Sequence, residues 1–477
     1  MRTSGSNGLD ESFDVVVIGG GVLGTAVAAR LSATVASVCL LEAETDVCEG
    51  ASKGNAGVAV SYYGPPGTLE TELINRSCPR WEELCSRLGV PYRRIGGVMV
   101  ALNDDEASRL EHTLDDLDRA GVRGELLTPA QISDTEPLIT TKSVAGLLMP
   151  DEGVIDPIAL TIAYADLAVT NGASVRLGAR VDQIDRLDDG RSLISTTRGR
   201  VTARFIVNAA GVAAGRIAQM AGGEELRCWP RKGQYAVIDR LFAERLSKIV
   251  FCTHSPDTKG INVVPTTHGS ALLGPTALDI DDPDDKSTDR DTVAALVESA
   301  RRLVPDLTTD LVIKTFAANR PAGDEQHRLR FDKRVDNLLH CTDRSAGVSL
   351  SPAAADLVLH LLRDAGLPAE DRADAVQVLP SSPRLRTATD PDALFEQDPL
   401  FGQIVCACEH VSAAEINRAL SAPVPATSVD GVRKRTGAAY GRCQGSLCSA
   451  GITFMTALST GTGPATVRQT SQGTVGS

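Results

Sequence analysis

A glycine-rich turn at residues 19–24 constrains the fold of this chain more than any other feature. The six residues before it, Phe-Asp-Val-Val-Val-Ile, are typical of a buried parallel strand, and residues 25–32 after it have a helical composition. Gly19, Gly21 and Gly24 have the spacing G-x-G-x-x-G. The first glycine permits a tight turn, the second lets the backbone approach a pyrophosphate, and the third lets the helix pack closely on the strand. The pattern predicts a dinucleotide-binding βαβ unit whose helix N-terminus faces the phosphates.

An acidic residue ends the second predicted strand, residues 38–41. Glu42 follows Gly24 by 18 residues. A carboxylate at this place accepts hydrogen bonds from ribose hydroxyls and repels a 2′-phosphate. Residues 50–57 then form a stretch of small residues where a nicotinamide enzyme would normally continue into its next helix. Because small residues allow close contact with a flat isoalloxazine ring, we expect FAD as the cofactor.

Four cysteines near the C-terminus form two close pairs, Cys406 with Cys408 and Cys443 with Cys448. Four thiolates are the ligand set of iron–sulfur clusters and also of structural zinc. Zinc ribbons usually use C-x-x-C, so the C-x-C pair favours iron, while zinc and a site that has lost its metal remain alternatives. The other seven cysteines are scattered, and we expect them to be small buried apolar residues rather than disulfide partners.

Length and charge limit the function classes. The chain has 477 residues, which suggests two or three domains, and a net charge of −13. The acidic balance argues against a general affinity for nucleic acid. No apolar run approaches the roughly 20 residues that span a bilayer, so we expect a cytoplasmic protein without an integral membrane segment, which leaves room for peripheral membrane association.

Residues 376–402 are expected to be a linker, and residues 457–477 a disordered tail.

Residues 13–365 resemble the FAD-dependent oxidoreductase family named after D-amino-acid oxidase. The resemblance rests on the glycine fingerprint, Glu42, and the segments 52–57, 208–211 and 340–352. It implies an α/β fold in which a Rossmann-like FAD-binding domain (about 13–62, 145–222 and 316–365) is interleaved with an antiparallel-sheet substrate domain (about 63–144 and 223–315). The implied cofactor-binding residues are Gly19, Gly21, Gly24, Glu42, Ser52, Asn55, Gly57, Val181, Ala210, Gly211, Gly347, Val348 and Ser349.

A helix is expected close to the flavin ring, at about residues 353–362. Its N-terminal amides would stabilise negative charge on the reduced flavin.

The motifs at 65–69, 88–97, 259–265 and 274–276 resemble one branch of this family, which includes L-2-hydroxyglutarate oxidase and the flavoprotein subunit of anaerobic glycerol-3-phosphate dehydrogenase. That branch implies hydride transfer to flavin N5 from a small anionic 2-hydroxy acid or a glycerol-3-phosphate-like alcohol. Arg320 is the first candidate for clamping the substrate anion and Lys259 the second. Relatives carry histidines where this chain has Val60 and Asn262.

Two other histidines could supply the missing catalytic base. His254 and His268 lie near Asn262 in the sequence, and His254 is the candidate that we retain together with Arg320 and Lys259.

Residues 403–456 resemble the bacterioferritin-associated ferredoxin-like domain. The features in common are the cysteine spacing, glycines beside Cys443, and a helix at 411–420 with a capping box formed by Ser412 and Glu415. A second helix is expected from Ser428. The resemblance implies a small helical module that holds a 2Fe–2S cluster through the four cysteines.

The two resemblances together predict a dehydrogenase that takes electrons from a small-molecule substrate into FAD and passes them through the cluster. The acceptor would be a protein, a partner subunit or a quinone-linked carrier. Two alternatives remain: an amino-acid or imino-acid dehydrogenase subunit of the opine or hydroxyproline type, and an electron-transfer subunit that binds FAD but has no substrate of its own.

Overall fold

The computed structural model describes residues 11–253, 260–325 and 327–470. Its strands, in chain order, are β1 (Glu11–Ile18), β2 (Val38–Leu41), β3 (Val58–Ala59), β4 (Tyr92–Arg94), β5 (Gly97–Ala101), β6 (Glu125–Leu127), β7 (Ala145–Met149), β8 (Gly153–Ile155), β9 (Ser174–Arg176), β10 (Val181–Arg186), β11 (Ser192–Thr196), β12 (Gly199–Asn208), β13 (Cys228–Ile238), β14 (Ile249–Cys252), β15 (Asn262–Pro265), β16 (Ala271–Gly274), β17 (Leu278–Asp279), β18 (Val312–Gly323), β19 (His327–Phe331), β20 (Leu338–Asp343), β21 (Ile404–Cys406) and β22 (Val411–Ser412).

The described residues also form α-helices. They are α1 (Val22–Ser32), α2 (Leu69–Ser77), α3 (Trp81–Leu88), α4 (Asp104–Ala120), α5 (Pro129–Thr135), α6 (Pro157–Thr170), α7 (Ala214–Met220), α8 (Arg240–Ala243), α9 (Arg290–Arg301), α10 (Gly347–Asp364), α11 (Pro391–Gln397), α12 (Ala413–Leu420), α13 (Val429–Thr436) and α14 (Ser449–Thr460). None of the helices in the described part of the chain combines the length and the apolar character that a membrane crossing needs.

An eight-stranded sheet forms the predicted Rossmann-like domain. Its main path runs β10-β11-β12-β1-β2-β9, with β20 beside β12 and β19 beside β20. β1 lies parallel to both β12 and β2, so the predicted βαβ unit is confirmed. Helices α1, α6 and α10 pack together over this sheet, and their apolar side chains share one buried core with β1 and β2. The mixed α/β fold class predicted from the sequence is thereby confirmed.

A second, largely antiparallel sheet of nine strands is interleaved with the first along the chain. Its path is β17-β13-β16-β15-β14-β5-β7-β6, with β18 paired along β13. Two predicted boundaries move as a result. β7 and β18 pair within this second sheet, so residues 145–149 and 316–323 belong to it rather than to the FAD-binding segments. The chain returns to the first sheet at β19.

The predicted linker and tail are partly wrong. Within 376–402, α11 begins after Asp390, whose side chain caps it, and Phe401 packs against Ala414 of the C-terminal module. At the other end, α14 continues to Thr460 and Val467 is buried, so residues 457–470 are part of the module. Residues 471–477 lie outside the described part of the chain. The composition of both segments predicts a chain without regular structure. In the structure, apolar contacts with the C-terminal module hold both segments in place.

The helix expected at 353–362 begins six residues earlier. α10 starts at Gly347 and contains Pro352, which lacks the N–H that would bond the carbonyl of Val348. The hydroxyl of Ser351 donates to that carbonyl at 2.9 Å instead. Because this side chain replaces the missing backbone bond, the proline does not end the helix.

Candidate functional site

Three segments that are distant in sequence meet at the carboxyl end of β1. Ser52 Oγ accepts a hydrogen bond from the amide of Val22 at 2.9 Å, which ties the loop of small residues to the first turn of α1. Ser349 Oγ accepts from the amide of Val60 at 3.0 Å and donates to the carbonyl of Val58 at 3.1 Å. The glycine fingerprint, the predicted flavin loop and the N-terminus of α10 are therefore held together by side-chain hydrogen bonds.

The glycines of the fingerprint fit a dinucleotide. A Cβ on Gly24 would lie 2.0 Å from the carbonyl oxygen of Gly19, and a Cβ on Gly19 would lie 2.5 Å from that of Ala209. Only glycine is compatible with these approaches. At Gly21, by contrast, a Cβ would meet only Ser52 Oγ, at 3.4 Å, so the backbone there borders open space. This is the arrangement that lets a pyrophosphate approach the backbone at the start of α1.

Glu42 lies where a ribose-binding carboxylate is expected. Its Oε2 accepts the amide of Gly20 at 2.6 Å, and its Oε1 accepts the amide of Glu44 at 2.8 Å. Burial raises the pKa of Glu42 to about 7. Each carboxylate oxygen accepts one backbone amide and keeps a second lone pair, so each can still accept a hydrogen bond from a ribose hydroxyl.

The remaining predicted cofactor residues surround the same end of the sheet. Val181 shares a buried cluster with Ile18 and Leu41 at the ends of β1 and β2. Gly211 begins a short 3₁₀ turn after β12, directly after Ala210. Gly347 and Val348 form the first turn of α10, and Asn55 Oδ1 accepts the amide of Gly57 at 2.8 Å within the flavin loop. Their contacts with a cofactor remain predictions.

β18 lies directly on the flavin loop. A Cβ on Gly54 would lie 2.0 Å from the Cβ of Ala318, so only a glycine allows this crossing. Lys314, Phe316, Ala318 and Arg320 alternate along β18 and therefore lie on one face of it, with about 20 Å between the first and the last. The face that covers the loop thus has a cation at each end.

Arg320 lies beside the N-terminus of α10. Its Nη1 donates to Ser345 Oγ at 3.4 Å, and Asp343 Oδ1 holds that turn by accepting the amides of Ser345 and Ala346. Its Nε is buried and has no hydrogen-bond partner among the described residues. Within those residues no carboxylate forms an ion pair with Arg320, so its charge remains available for an anion.

The other two candidate catalytic residues, Lys259 and His254, lie outside the described residues. Val60 and Asn262, which stand where relatives carry histidines, make structural contacts: Val60 with Ser349, and Asn262 Oδ1 with the amide of Cys252 at 3.3 Å. His268 lies in the turn between β15 and β16, and its Nε2 is 2.8 Å from Asp156 Oδ2.

A buried carboxyl group beside the flavin loop was not predicted. Glu152, which is 1% exposed, lies before β8, and its Oε1 accepts both the amide (2.9 Å) and the hydroxyl (2.7 Å) of Ser61. Burial raises its pKa to about 7. The sequence alone gave little indication of this contact, because Glu152 and Ser61 are 91 residues apart.

The four cysteines of the C-terminal module converge as two pairs of thiols. Cys408 faces Cys443, and Cys448 faces Cys406. The amide of Leu447, the Cys408 thiol and the amide of Gly445 lower the pKa of Cys443, whereas burial raises that of Cys448 to about 12. Backbone amides therefore point at the sulfur of Cys443.

The pairing of the thiols fits two irons better than one zinc. In tetrahedral zinc sites with bonds of about 2.3 Å, all four sulfurs lie within about 4 Å of one another. Among the described residues, the only group of three or more ligand atoms within 4.8 Å of each other is Glu224, Asp332 and His340. No three of the four cysteine sulfurs therefore lie within 4.8 Å of one another, so the thiols do not form the compact tetrahedron of a zinc site, and their spacing suits the wider donor set of a 2Fe–2S cluster.

One cavity of about 730 Å³ joins the flavin loop to the cysteine module. Its walls include Asn55 and Ala56 of the loop, Lys314 and Ala318 of β18, and Cys408 of the module. The His268–Asp156 pair also lines it. Cys408 therefore faces the flavin loop across a single cavity, an arrangement that suits electron exchange between two cofactors.

Comparisons with known proteins identify both parts of the chain. A family model described as FAD dependent oxidoreductase matches residues 14–361, and one described as BFD-like [2Fe-2S] binding domain matches residues 404–454. Glycerol 3-phosphate dehydrogenase from Caloramator mitchellensis is 32% identical over 92% of each chain. The anaerobic glycerol-3-phosphate dehydrogenase of Escherichia coli K12 has a subunit that is 25% identical over 92% of this chain and 87% of its own length.

A solved structure is similar to the first part of the chain. L-alpha-glycerophosphate oxidase from Mycoplasma pneumoniae, solved with FAD bound, superposes with a TM-score of 0.73 at 25% identity, covering 78% of this chain and 99% of that one. The predicted family and both predicted cofactors are confirmed. The chain belongs to the FAD dependent oxidoreductase family, and it is an enzyme that binds FAD and carries a 2Fe–2S cluster in a C-terminal domain.

Proposed function

We propose that the chain oxidises the secondary alcohol of glycerol 3-phosphate and passes the electrons through its cluster to a protein acceptor. The choice of glycerol 3-phosphate as the substrate rests on one observation. The relative from Caloramator mitchellensis, a glycerol 3-phosphate dehydrogenase, matches this chain over 92% of both lengths, cluster domain included. The relatives that match this chain over most of both lengths are named for glycerol 3-phosphate, so the amino-acid alternative has less support.

Arg320 is the residue proposed to bind the phosphate. Its guanidinium has a buried Nε without a partner among the described residues, and it lies next to the first turn of α10. Guanidinium groups bind phosphate through paired hydrogen bonds, and the helix N-terminus adds partial positive charge. When bound, FAD supplies a hydride acceptor and the cluster a one-electron carrier. Arg320 would orient the substrate.

Removal of the hydroxyl proton is proposed to fall to Lys259 or His254. Both precede β15, whose first residue is Asn262, one of the positions where relatives carry a histidine. A base there would act on the substrate that Arg320 positions.

The test compares Arg320→Met with Arg231→Met, using glycerol 3-phosphate and glycerol as substrates. Arg231 is the cross-strand partner of Arg320, but its charge is already paired with Asp279 at 2.5 and 2.8 Å. Charged hydrogen bonds contribute about 1.5–3 kcal/mol each, so losing two should lower kcat/KM for glycerol 3-phosphate by about 10²–10⁴-fold.

Glycerol, which has no phosphate, should be oxidised at an unchanged rate by Arg320→Met, and Arg231→Met should be normal with both substrates. Equal losses for both substrates would refute the phosphate-binding role. An absence of flavin bleaching by glycerol 3-phosphate in the unaltered chain, with bleaching by secondary amines, would instead support the amino-acid alternative.

A further inference from the structure

One face of α14 is apolar and exposed beside the cluster ligands. Leu447 is 76% exposed, Phe454 56% and Leu458 68%. At 100° per residue Phe454 and Leu458, with the small Ala450 and Gly451, lie on one side of the helix, and Leu447 lies in the turn just before it. We call these five residues the α14 stripe. The opposite side of the helix, with Ile452, Thr456 and Ala457, is buried in the core of the module.

The α14 stripe begins at the cluster. Leu447 is the residue before Cys448, and the helix carries the stripe about 15 Å further to Leu458. The cavity that leads to the flavin loop is bordered by Cys408, in the other half of the ligand set. The cluster-binding cysteines thus lie between the flavin side and an exposed apolar face.

Charge is absent from this face. No acidic or basic residue occurs between Arg442 and Arg468, in a chain that has 109 charged residues in total, 48 basic and 61 acidic. A partner that docked by charge pairing would find no counterpart along α14. An uncharged face matches an uncharged, apolar face on the partner.

The area of the α14 stripe indicates a short-lived encounter. At about 150–200 Å² for a large side chain, the exposed fractions correspond to roughly 300–400 Å² of apolar surface. Exposed apolar patches of this size on a monomer are often functional. Stable dimers bury about 2,000 Å² or more in total, whereas redox encounters bury less than about 1,200 Å². The α14 stripe is therefore large enough to form the centre of a redox encounter interface, and too small for a stable dimer.

We infer that the α14 stripe is the docking surface for a one-electron carrier protein that oxidises the cluster. The inference rests on the proposed function in one respect: the reduced cluster must pass its electrons to a protein acceptor. In each encounter one electron leaves the reduced cluster and enters the carrier's own one-electron centre, such as a haem or an iron–sulfur cluster. Two encounters remove the electron pair of one turnover.

Photo-crosslinking of the full chain, with both cofactors bound, identifies the occupant. A benzoylphenylalanine at position 454 is irradiated in an extract of the source organism, and the control carries it at position 378, where Val378 is 58% exposed outside the module. We expect a crosslink from position 454 to a protein with a one-electron cofactor, at a yield that changes little with salt because the face is uncharged. Crosslinks only to a second copy, only to lipid, or to nothing at all would overturn the inference.

Electron transfer to the captured protein is then measured without substrate. The chain is reduced with stoichiometric dithionite, mixed with the captured protein, and followed by cluster absorbance. The double variant F454E/L458E should slow reoxidation at least tenfold, with normal iron content, normal sedimentation and normal reoxidation by ferricyanide, and V378E should behave like the unaltered chain. An unchanged rate in the double variant would overturn the inference. Since dithionite replaces the substrate, a failure of glycerol 3-phosphate oxidation would leave this result standing.

Discussion

Replacing Lys434 with Met should loosen the contact between the cluster module and the flavin loop. The side chain of Lys434, on α13, is 0% exposed, and its ammonium donates to the carbonyl of Val47 at 2.8 Å, to Asp46 at 2.9 Å and to Glu49. Those three residues precede Ser52, which ties the flavin loop to α1. The substitution therefore removes a buried cation that joins two parts of the site.

The expected loss is about 3 kcal/mol. Breaking a buried ion pair costs about 3–5 kcal/mol because the remaining charge stays buried. Here Asp46 keeps the guanidinium of Arg435 at 2.7 and 2.9 Å, and Glu49 keeps Lys53 at 3.0 Å, so the lower end of that range applies. Urea unfolding of the FAD-bound chain measures the change in free energy, and a fluorescence titration of the apoprotein measures the affinity for FAD.

We expect Lys434→Met to lower the first unfolding transition by about 3 kcal/mol and to weaken FAD binding about tenfold, which is 1.4 kcal/mol. Arg119→Gln is the matched control, since Arg119 is 68% exposed and forms a surface pair with Asp116 that should contribute less than about 1 kcal/mol. A change below 1 kcal/mol in Lys434→Met, with unaltered FAD affinity, would show that Lys434 does not hold the cluster module against the flavin loop.

Three further predictions concern the loop, the cluster and a buried acid. Gly54→Ala should expel FAD, because its Cβ would lie 2.0 Å from a side chain of β18, whereas Gly50→Ala, with no atom within 4 Å, should bind FAD normally; equal flavin content in both would contradict the packing. Cys443→Ser should lose cluster iron while Cys78→Ser keeps it, and full iron in the first would rule out the ligand assignment. Glu152 is buried with a pKa raised from 4.5 to about 7, so the folded chain holds a proton that the unfolded chain releases, and stability falls as pH rises from about 4.5 to 7. Glu152→Gln should therefore match the unaltered chain at about pH 4 and exceed it by up to about 3 kcal/mol above pH 7.5; equal differences between the two proteins at the two pH values in urea unfolding would contradict this.

The parts of the fold that local chemistry determines could be predicted from the sequence. The strand at 38–41 has the predicted bounds, and Ser412 and Glu415 form the predicted capping box at the start of α12. The glycine spacing located the turn at the start of α1. Each of these depends on residues within a few positions of one another, where propensity and hydrogen bonding decide the conformation.

Other features depend on contacts between distant residues. The start of α10 could not be placed, because a proline in a helix interior normally breaks it, and the sequence alone does not show that Ser351 bonds the carbonyl that Pro352 leaves free. β18 was assigned to the wrong sheet in part, since its pairing with β13 joins residues about 85 positions apart. The ion pair of Arg435 with Asp46 joins residues 389 positions apart. Hydrophobic periodicity reflects only neighbouring positions, so it does not predict contacts between residues this far apart in the sequence.

The position of Arg320 shows how the two kinds of information combine. The family resemblance made Arg320 the first candidate for clamping the substrate anion, and the structure adds that Ser345 and the N-terminus of α10 lie beside it. Its role in binding the substrate remains a prediction, as do those of Lys259 and His254.

Anaerobic mixing of the chain with glycerol 3-phosphate tests whether electrons from this substrate enter FAD and pass on to the cluster. Flavin absorbance and the spin-resonance signal of the cluster are followed together in the unaltered chain and in Cys443→Ser. We expect loss of the flavin band in both proteins and a reduced-cluster signal only in the first. Bleaching by dithionite but not by glycerol 3-phosphate would rule out this substrate, and flavin bleaching with no cluster signal in the unaltered chain would rule out electron transfer from FAD to the cluster.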